Sequence, residues 1–196
     1  MLELVLATRN AHKVAEVGRM LAPFRLAVVP LPRKLELPPE DGDTYSANAL
    51  IKARAAAEEL KRAVIADDSG IQAAALGGRP GVRSARYAGD GATDEENLRK
   101  LITEVPAGSE LRYVCALAFV EGRYERVFLG ECQGHMAAAP RGENGFGYDP
   151  VFIPDGHPDQ TMAELTDAEK DLISHRGNAL RDFAWWFLGE RFGLRR

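Results

Sequence analysis

The chain has 196 residues, 45% of them apolar and 28% charged, the composition of one ordinary folded domain and far from disordered or fibrous sequences. Lys and Arg number 25 against 29 Asp and Glu, giving a formal net charge of −4 that excludes any general electrostatic drive toward nucleic acid or an anionic membrane. A polyanionic ligand would have to meet a local basic cluster.

Leu2 to Ala7 reads as a strand that follows Met1 directly, with no basic leader. It falls far short of the about 20 apolar residues of a membrane helix, so no membrane association and a cytoplasmic location are expected. Ala11, Val14, Ala15, Gly18 and Leu21 then recur at helical spacing, and Leu26 to Val29 reads as a second strand. Pro30, Pro32, Pro38 and Pro39 break regular structure through an acidic stretch ending at Asp43. Asp43 or Thr44 caps an Ala-rich helix to about Leu60, and Ala63 to Ala66 reads as a third, buried strand. This opening predicts an α/β sheet.

Gly77 to Gly91 is rich in Gly and Arg and reads as loop. Thr93 with Glu96 forms a capping box for a helix carrying Leu98, Leu101 and Ile102. Leu111 to Val120 and Tyr124 to Gln133 form a predicted hairpin around Glu121-Gly122-Arg123, Gly134 to Pro150 is loop-rich, and Thr166 with Glu169 caps a helical C-terminal region. Cys115 and Cys132 match neither a metal spacing nor a small disulfide framework, which fits a reducing compartment. No repeat or linker divides residues 1–196, which read as a single domain.

Four segments carry residues suited to chemistry. Thr8-Arg9-Asn10-Ala11-His12-Lys13 lies where a strand passes into a helix, a junction whose unpaired N–H groups and dipole attract anions. Asn10 also reads simply as a helix cap and Lys13 as a surface charge. Asp67-Asp68-Ser69-Gly70 follows the third strand, where two carboxylates can hold a divalent metal or accept a proton from water and Gly70 permits a sharp exit; the same residues also read as a turn. Among Glu40, Asp41 and Asp43, one carboxylate can complete a magnesium shell with Asp68.

In the third segment, Gly142 to Pro150, glycines flank Phe146, which can stack on a base while Asp149 accepts hydrogen bonds. Alternatively, Phe146 and Tyr148 anchor an irregular loop. The fourth segment places Lys170 one helical turn before Ser174, with His175 and Arg176 at the adjoining turn, a group able to bind phosphate and a base carbonyl.

Taken in order, these segments resemble the inosine triphosphate pyrophosphatase (Ham1-like) family over nearly the whole chain. The resemblance rests on Thr8-Arg9-Asn10 with Lys13 and Glu16, on Ala66 to Gly70, on Pro80 to Gly89, on Gly145 to Pro150 and on Ser174 to Gly177. It implies an elongated mixed β-sheet flanked by helices, two lobes around a substrate cleft, and a homodimer. The implied activity is hydrolysis of dITP, ITP, XTP and dXTP to monophosphate and pyrophosphate. Asp68 would be general base or metal ligand, with Glu40 beside it on Mg²⁺. Thr8 to Lys13, Ser69 and Lys170 would contact the triphosphate, while Phe146, Gly147, Tyr148, Asp149, His175 and Arg176 would surround the purine.

Three positions depart from the family pattern. Arg9 stands where many members have Gly, Ala47 where they have Glu, and Asn178 where a basic residue is common. Two other readings stay open at this point: a related-fold nucleotide pyrophosphatase acting on pyrimidine or modified nucleotides, and a nucleotide-binding module without turnover.

Overall fold

The computed structural model describes residues 2–193. Six strands form one mixed sheet in the order β2-β1-β3-β4-β5-β6: β1 (Leu2–Leu6), β2 (Leu26–Pro30), β3 (Val64–Ala73), β4 (Glu110–Glu121), β5 (Tyr124–Met136) and β6 (Phe152–Pro154). β1 runs parallel to both β2 and β3, with Leu4 opposite Val28 and Val5 opposite Val64, whereas β5 and β6 are antiparallel, with His135 opposite Ile153. The helices are α1 (Ala11–Leu21), α2 (Tyr45–Leu60), α3 (Asp94–Glu104), α4 (Asp167–Ile173) and α5 (His175–Phe192). Both predicted capping boxes are present, Thr93 with Glu96 on α3 and Thr166 with Glu169 on α4.

By contacts the chain forms two compact units, one of residues 1–68, 115–130 and 176–196, the other of 69–114 and 131–175. In the first, Leu4, Leu6, Val17, Leu21, Ile65, Leu117, Phe119 and Phe183 share a core. In the second, Ile71, Leu101, Leu111, Tyr113, Tyr148, Phe152 and Met162 do so. The strand patterns explain how layers form: β4 is buried almost end to end, as for a strand covered on both faces, whereas β5 alternates exposed and buried residues from Leu129 to Met136. Cys115 and Cys132 are both free thiols, and burial pushes each up to about 12.

Two sequence expectations need correction. β3 does not end at Ala66 but runs on to Ala73, so Asp67 and Asp68 lie within a buried strand and Gly70 is no exit. Gly70 is required for another reason: a Cβ there would sit 2.4 Å from Ser84 Oγ and 2.5 Å from the Gly81 carbonyl. Second, Lys170 and Ser174 do not share one helix with His175 and Arg176. Ser174 is extended (φ −66°, ψ 152°) and ends α4, and α5 starts afresh at His175. Part of the expected 77–91 loop is also ordered as a 3₁₀ segment over Gly81–Arg86.

Candidate active site

In the first unit, α2 sets the geometry. Its buried positions Tyr45, Asn48, Ala49, Lys52, Ala53 and Ala56 follow helical spacing, so an amide and an ammonium lie within a stripe of alanines. The Asn48 amide donates to Asp68 Oδ2 at 3.0 Å and its oxygen accepts from the Gly42 N–H at 2.8 Å. Lys52 Nζ donates to Glu40 Oε1 at 2.6 Å and to the Asp67 carbonyl at 2.7 Å, and lies 3.9 Å from Asp68 Oδ1. Burial alone would discharge Lys52, but Asp67, Asp68 and Glu40 more than offset it and hold the ammonium charged.

Successive residues of a strand point to opposite faces. Asp67, fully buried, pairs with Lys13 at 3.0 Å and with Arg176 at 3.1 Å, while Arg176 also donates to Glu16 at 2.5 Å. Burial pushes Asp67 upward, but Lys13, Arg176 and Lys52 outweigh it and hold the carboxyl well below the carboxylate range. Asp68 goes the other way: burial raises it, Glu40 adds to the rise, and Lys52 with the Asn48 hydrogen bond only partly offsets them. One carboxylate is therefore locked as an ion and its neighbour is ready to take a proton.

The donor set fits a divalent cation of the hard, oxygen-loving kind. Glu40 and Asp68 already share one cationic neighbour in Lys52, and Glu16, Glu40, Asp67 and Asp68 outnumber Lys13, Lys52 and Arg176 by one charge. Magnesium takes only one or two protein carboxylates and completes its shell with water and phosphate. Among the described residues no group of three or more His, Cys, Asp or Glu gathers into a self-sufficient cage.

The opening segment is held locally. Asn10 caps α1, accepting from the N–H groups of His12 and Lys13, and Thr8 Oγ1 accepts from the Asn10 N–H at 3.2 Å. Ala11 and His12 are exposed on the first turn. The Arg9 side chain turns to other work, binding carbonyls of residues 31–35. Arg176 is likewise engaged: expected around the purine, it is 2% exposed with its Nε, Nη1 and Nη2 on Asp67 and Glu16.

In the second unit, Phe146, Asp149, Lys170 and His175 come together, and a residue the sequence reading missed joins them. Tyr113 donates to Asp149 Oδ1 at 3.0 Å and its ring stacks on His175, 4.5 Å between centroids and 9° between planes. Burial, then Asp149, push the Tyr113 hydroxyl far upward, so it stays a donor. Asp149 Oδ2 accepts from Lys170 Nζ at 2.6 Å and from the Phe146 N–H at 2.9 Å, and the Lys170 ammonium lies 5.0 Å from the Phe146 ring centre. Gly145 is fixed by this cluster: its φ is +73°, and a Cβ would lie 2.1 Å from Asp149 Oδ2. Tyr148 is buried in the core of the unit, donating to the Ser84 carbonyl at 2.7 Å, beside the half-buried Gly147. Ser69, half-buried on β3, begins this unit.

The profile of the Ham1 family matches residues 4–186. The chain belongs to the Ham1 family. A dITP/XTP pyrophosphatase of Geobacillus kaustophilus is 49% identical over 188 residues, 92% of this chain and 91% of that protein, and one of Frankia alni is 47% identical over 93% of this chain and 96% of that protein. Among solved structures, a Ham1 protein from Coxiella burnetii superposes with a TM-score of 0.85 at 39% identity, covering 97% of this chain and all of that one.

Within this Ham1 chain the three departures acquire structural meaning. Arg9 does not adopt positive φ, since Arg25 and Lys61 are the non-glycine residues that do among those described, so a side chain replaces glycine there without backbone strain. Ala47 is the third residue of α2, and its N–H donates to Thr44 Oγ1 at 3.1 Å. A Glu at that position would have the spacing of the capping boxes at Thr93 and Thr166, so Ala47 removes half of a helix cap. Asn178 accepts from Arg181 on the same helix. Asn48, Lys52 and Tyr113 are the site residues that sequence reasoning passed over. The first two carried a signal, being polar positions inside an apolar helical stripe.

Proposed function

We propose that this chain hydrolyses dITP, ITP, XTP and dXTP to the nucleoside monophosphate and pyrophosphate. The observation that carries this reading is the opposed setting of two consecutive carboxylates, Asp67 paired with Lys13 and Arg176 and Asp68 held by Asn48 near Lys52, in a chain of a family whose relatives are named dITP/XTP pyrophosphatases. Asp68 takes the proton from a water whose oxygen bonds to the α-phosphorus, while the bond from that phosphorus to the bridging oxygen of the pyrophosphate breaks. Asn48 keeps the Asp68 carboxylate oriented, and Lys52 balances the charge that Asp68 and Glu40 bring together.

Glu40 and Asp68 would hold Mg²⁺, which when bound supplies charge neutralisation on the phosphate oxygens. Thr8, the amides of Ala11 and His12, and Lys13 bind triphosphate, with the Asn10 cap shaping that segment. Ser69 adds a hydroxyl, and Lys170 a charge shared with Asp149. Phe146 offers a ring for stacking and His175 and Asp149 the polar groups for a purine edge, with Gly147 and Tyr148 forming the loop. Arg176 acts through Asp67 rather than on the base. The chain works as one pyrophosphatase domain, as a homodimer in the cytoplasm; no helix among the described residues is long and apolar enough to cross a membrane.

The test is pyrophosphate release from a panel of triphosphates with and without Mg²⁺. Catalytic efficiency for dITP, ITP and XTP should exceed that for ATP and GTP by at least about 100-fold, a ratio open to a site that leaves mismatched polar groups unpaired. Equal efficiency for ATP and ITP would defeat the purine reading, and turnover of a pyrimidine nucleotide would favour the related-fold alternative.

A further inference from the structure

Residues 31–44, between β2 and α2, carry no regular hydrogen-bond ladder, yet Glu40 sits on this stretch and reaches Lys52 at 2.6 Å. Loops of this length without structure of their own hold one conformation only when side chains from elsewhere satisfy their backbone. Two side chains of α2 hold the loop, Asn48 on the Gly42 N–H and Lys52 on the Glu40 carboxylate. The third is Arg9. Its Nη1 donates to the Leu31 carbonyl at 3.1 Å, and its Nη2 to the carbonyls of Pro32 at 2.8 Å, Arg33 at 3.1 Å and Leu35 at 2.5 Å. Both terminal nitrogens of the guanidinium are committed to backbone, in the planar fork geometry that distinguishes Arg from Lys.

We propose that Arg9 is a positioning residue for Glu40: it fastens residues 31–35 to the strand-to-helix segment that bears Thr8 and Lys13, and the stiff Pro38-Pro39 pair carries that placement on to Glu40. The reach is short. Only Glu36 and Leu37 separate the last carbonyl that Arg9 holds from Pro38, and each proline fixes its own φ and restricts the residue before it. Leu31 and Leu35 are also buried, so the loop keeps its apolar anchors without Arg9; what it loses is the charge-assisted pairing of its carbonyls. Arg9 thus acts on metal binding through Glu40 and does not contact the triphosphate. The functional half of this inference rests on the proposed role of Glu40 at Mg²⁺.

The experiment compares the wild-type chain with Arg9→Ala and Arg9→Lys. The first readout is hydrogen exchange of the protein alone, at two amides that are hydrogen-bonded in this loop: Leu35 N–H on the Pro32 carbonyl at 3.1 Å and Gly42 N–H on Asn48 Oδ1 at 2.8 Å. Both should exchange at least about tenfold faster in Arg9→Ala, as expected when a charge-assisted hydrogen bond is lost, with Arg9→Lys between the two. The second readout is the Mg²⁺ concentration for half-maximal pyrophosphate release, which should rise about tenfold or more in Arg9→Ala, while KM for dITP at saturating Mg²⁺ stays at the wild-type value. Faster exchange at Leu35 with Gly42 unchanged would overturn the proposal, because the anchoring would stop short of Glu40. A raised KM for dITP with unchanged Mg²⁺ dependence would overturn it too and return Arg9 to the substrate. If no triphosphate were turned over at all, the pyrophosphatase reading would fall, while the exchange comparison would still decide whether Arg9 holds this loop. Arg9→Lys keeps the charge and stem and carries the same comparison if Arg9→Ala does not fold.

Discussion

Asp67 and Asp68 are consecutive on β3 and engage opposite partners: Asp67 Oδ2 lies 3.0 Å from Lys13 Nζ, and Asp68 Oδ2 accepts from Asn48 at 3.0 Å. Strand alternation alone separates them, and the separation gives two chemically identical side chains different protonation behaviour. The first serves as a charge around which Lys13 and Arg176 organise. The second is left with raised basicity and a half-exposed carboxylate, Glu40, as its neighbour.

Replacing Asp68 by Asn should lower turnover of dITP by at least about 100-fold, the scale of losing a positioned base. It should also raise thermal stability at neutral pH. The folded state raises the Asp68 pKa, first through burial and then through Glu40, so its contribution to stability is full below the unfolded pKa of about 3.9 and is lost as pH rises through the folded value. The cost of ionising Asp68 therefore grows with pH, and Asn removes it while still accepting from Asn48. Thermal melts at pH 4 and pH 7 check this: the gain should be larger at pH 7. A variant less stable than wild type at pH 7, or one with near wild-type turnover, would contradict the assignment.

The pH profile offers an independent handle on the same carboxyl. Lys52 is the main influence that draws the Asp68 pKa down against burial. In Lys52→Gln that opposition disappears, so the Asp68 pKa should rise further and the acid limb of kcat/KM should move to higher pH than in the wild-type chain. Profiles measured on both proteins with dITP at saturating Mg²⁺ decide it. A limb that stays in place would mean that Asp68 is not the group whose ionisation the rate reports.

How much of this was open to a reader of the sequence depended on the range of the interactions. The capping boxes at Thr93 and Thr166 were legible because they close within three residues. β3 was cut short because Asp67, Asp68, Ser69 and Gly70 are turn formers, and only tertiary packing of Gly70 against Gly81 and Ser84 makes that run a strand. The break at Ser174 was missed since helical spacing persists across a single extended residue. Arg176 shows the limit most plainly. Its partners lie 109 and 160 positions away in the chain, at Asp67 and Glu16, and nothing local distinguishes a buried, paired guanidinium from one that reads a ligand.

Selectivity should depend on Tyr113, which touches two proposed base-reading groups at once. Its hydroxyl donates to Asp149 and its ring stacks on His175 at 4.5 Å. Asp149 also accepts from Lys170 and from the Phe146 N–H, so the Tyr113 hydrogen bond is one of three that orient this carboxylate. Tyr113→Phe removes that bond and keeps the ring, whereas Tyr113→Leu removes the stack on His175 as well. A hydrogen bond to a charged group contributes about 1.5–3 kcal/mol, so Tyr113→Phe should lower kcat/KM for dITP and XTP by roughly tenfold or more. Efficiency with dATP should fall much less, since a mismatched base draws little from correctly placed polar groups. The ratio of kcat/KM for dITP over dATP should therefore decline from wild type to Tyr113→Phe and again to Tyr113→Leu. Melting temperatures measured alongside separate this from a general loss of packing, because a merely structural defect would depress both substrates alike and leave the ratio where it was. An unchanged ratio in both variants would remove Tyr113, and with it the orientation of His175 and Asp149, from the discrimination of the base.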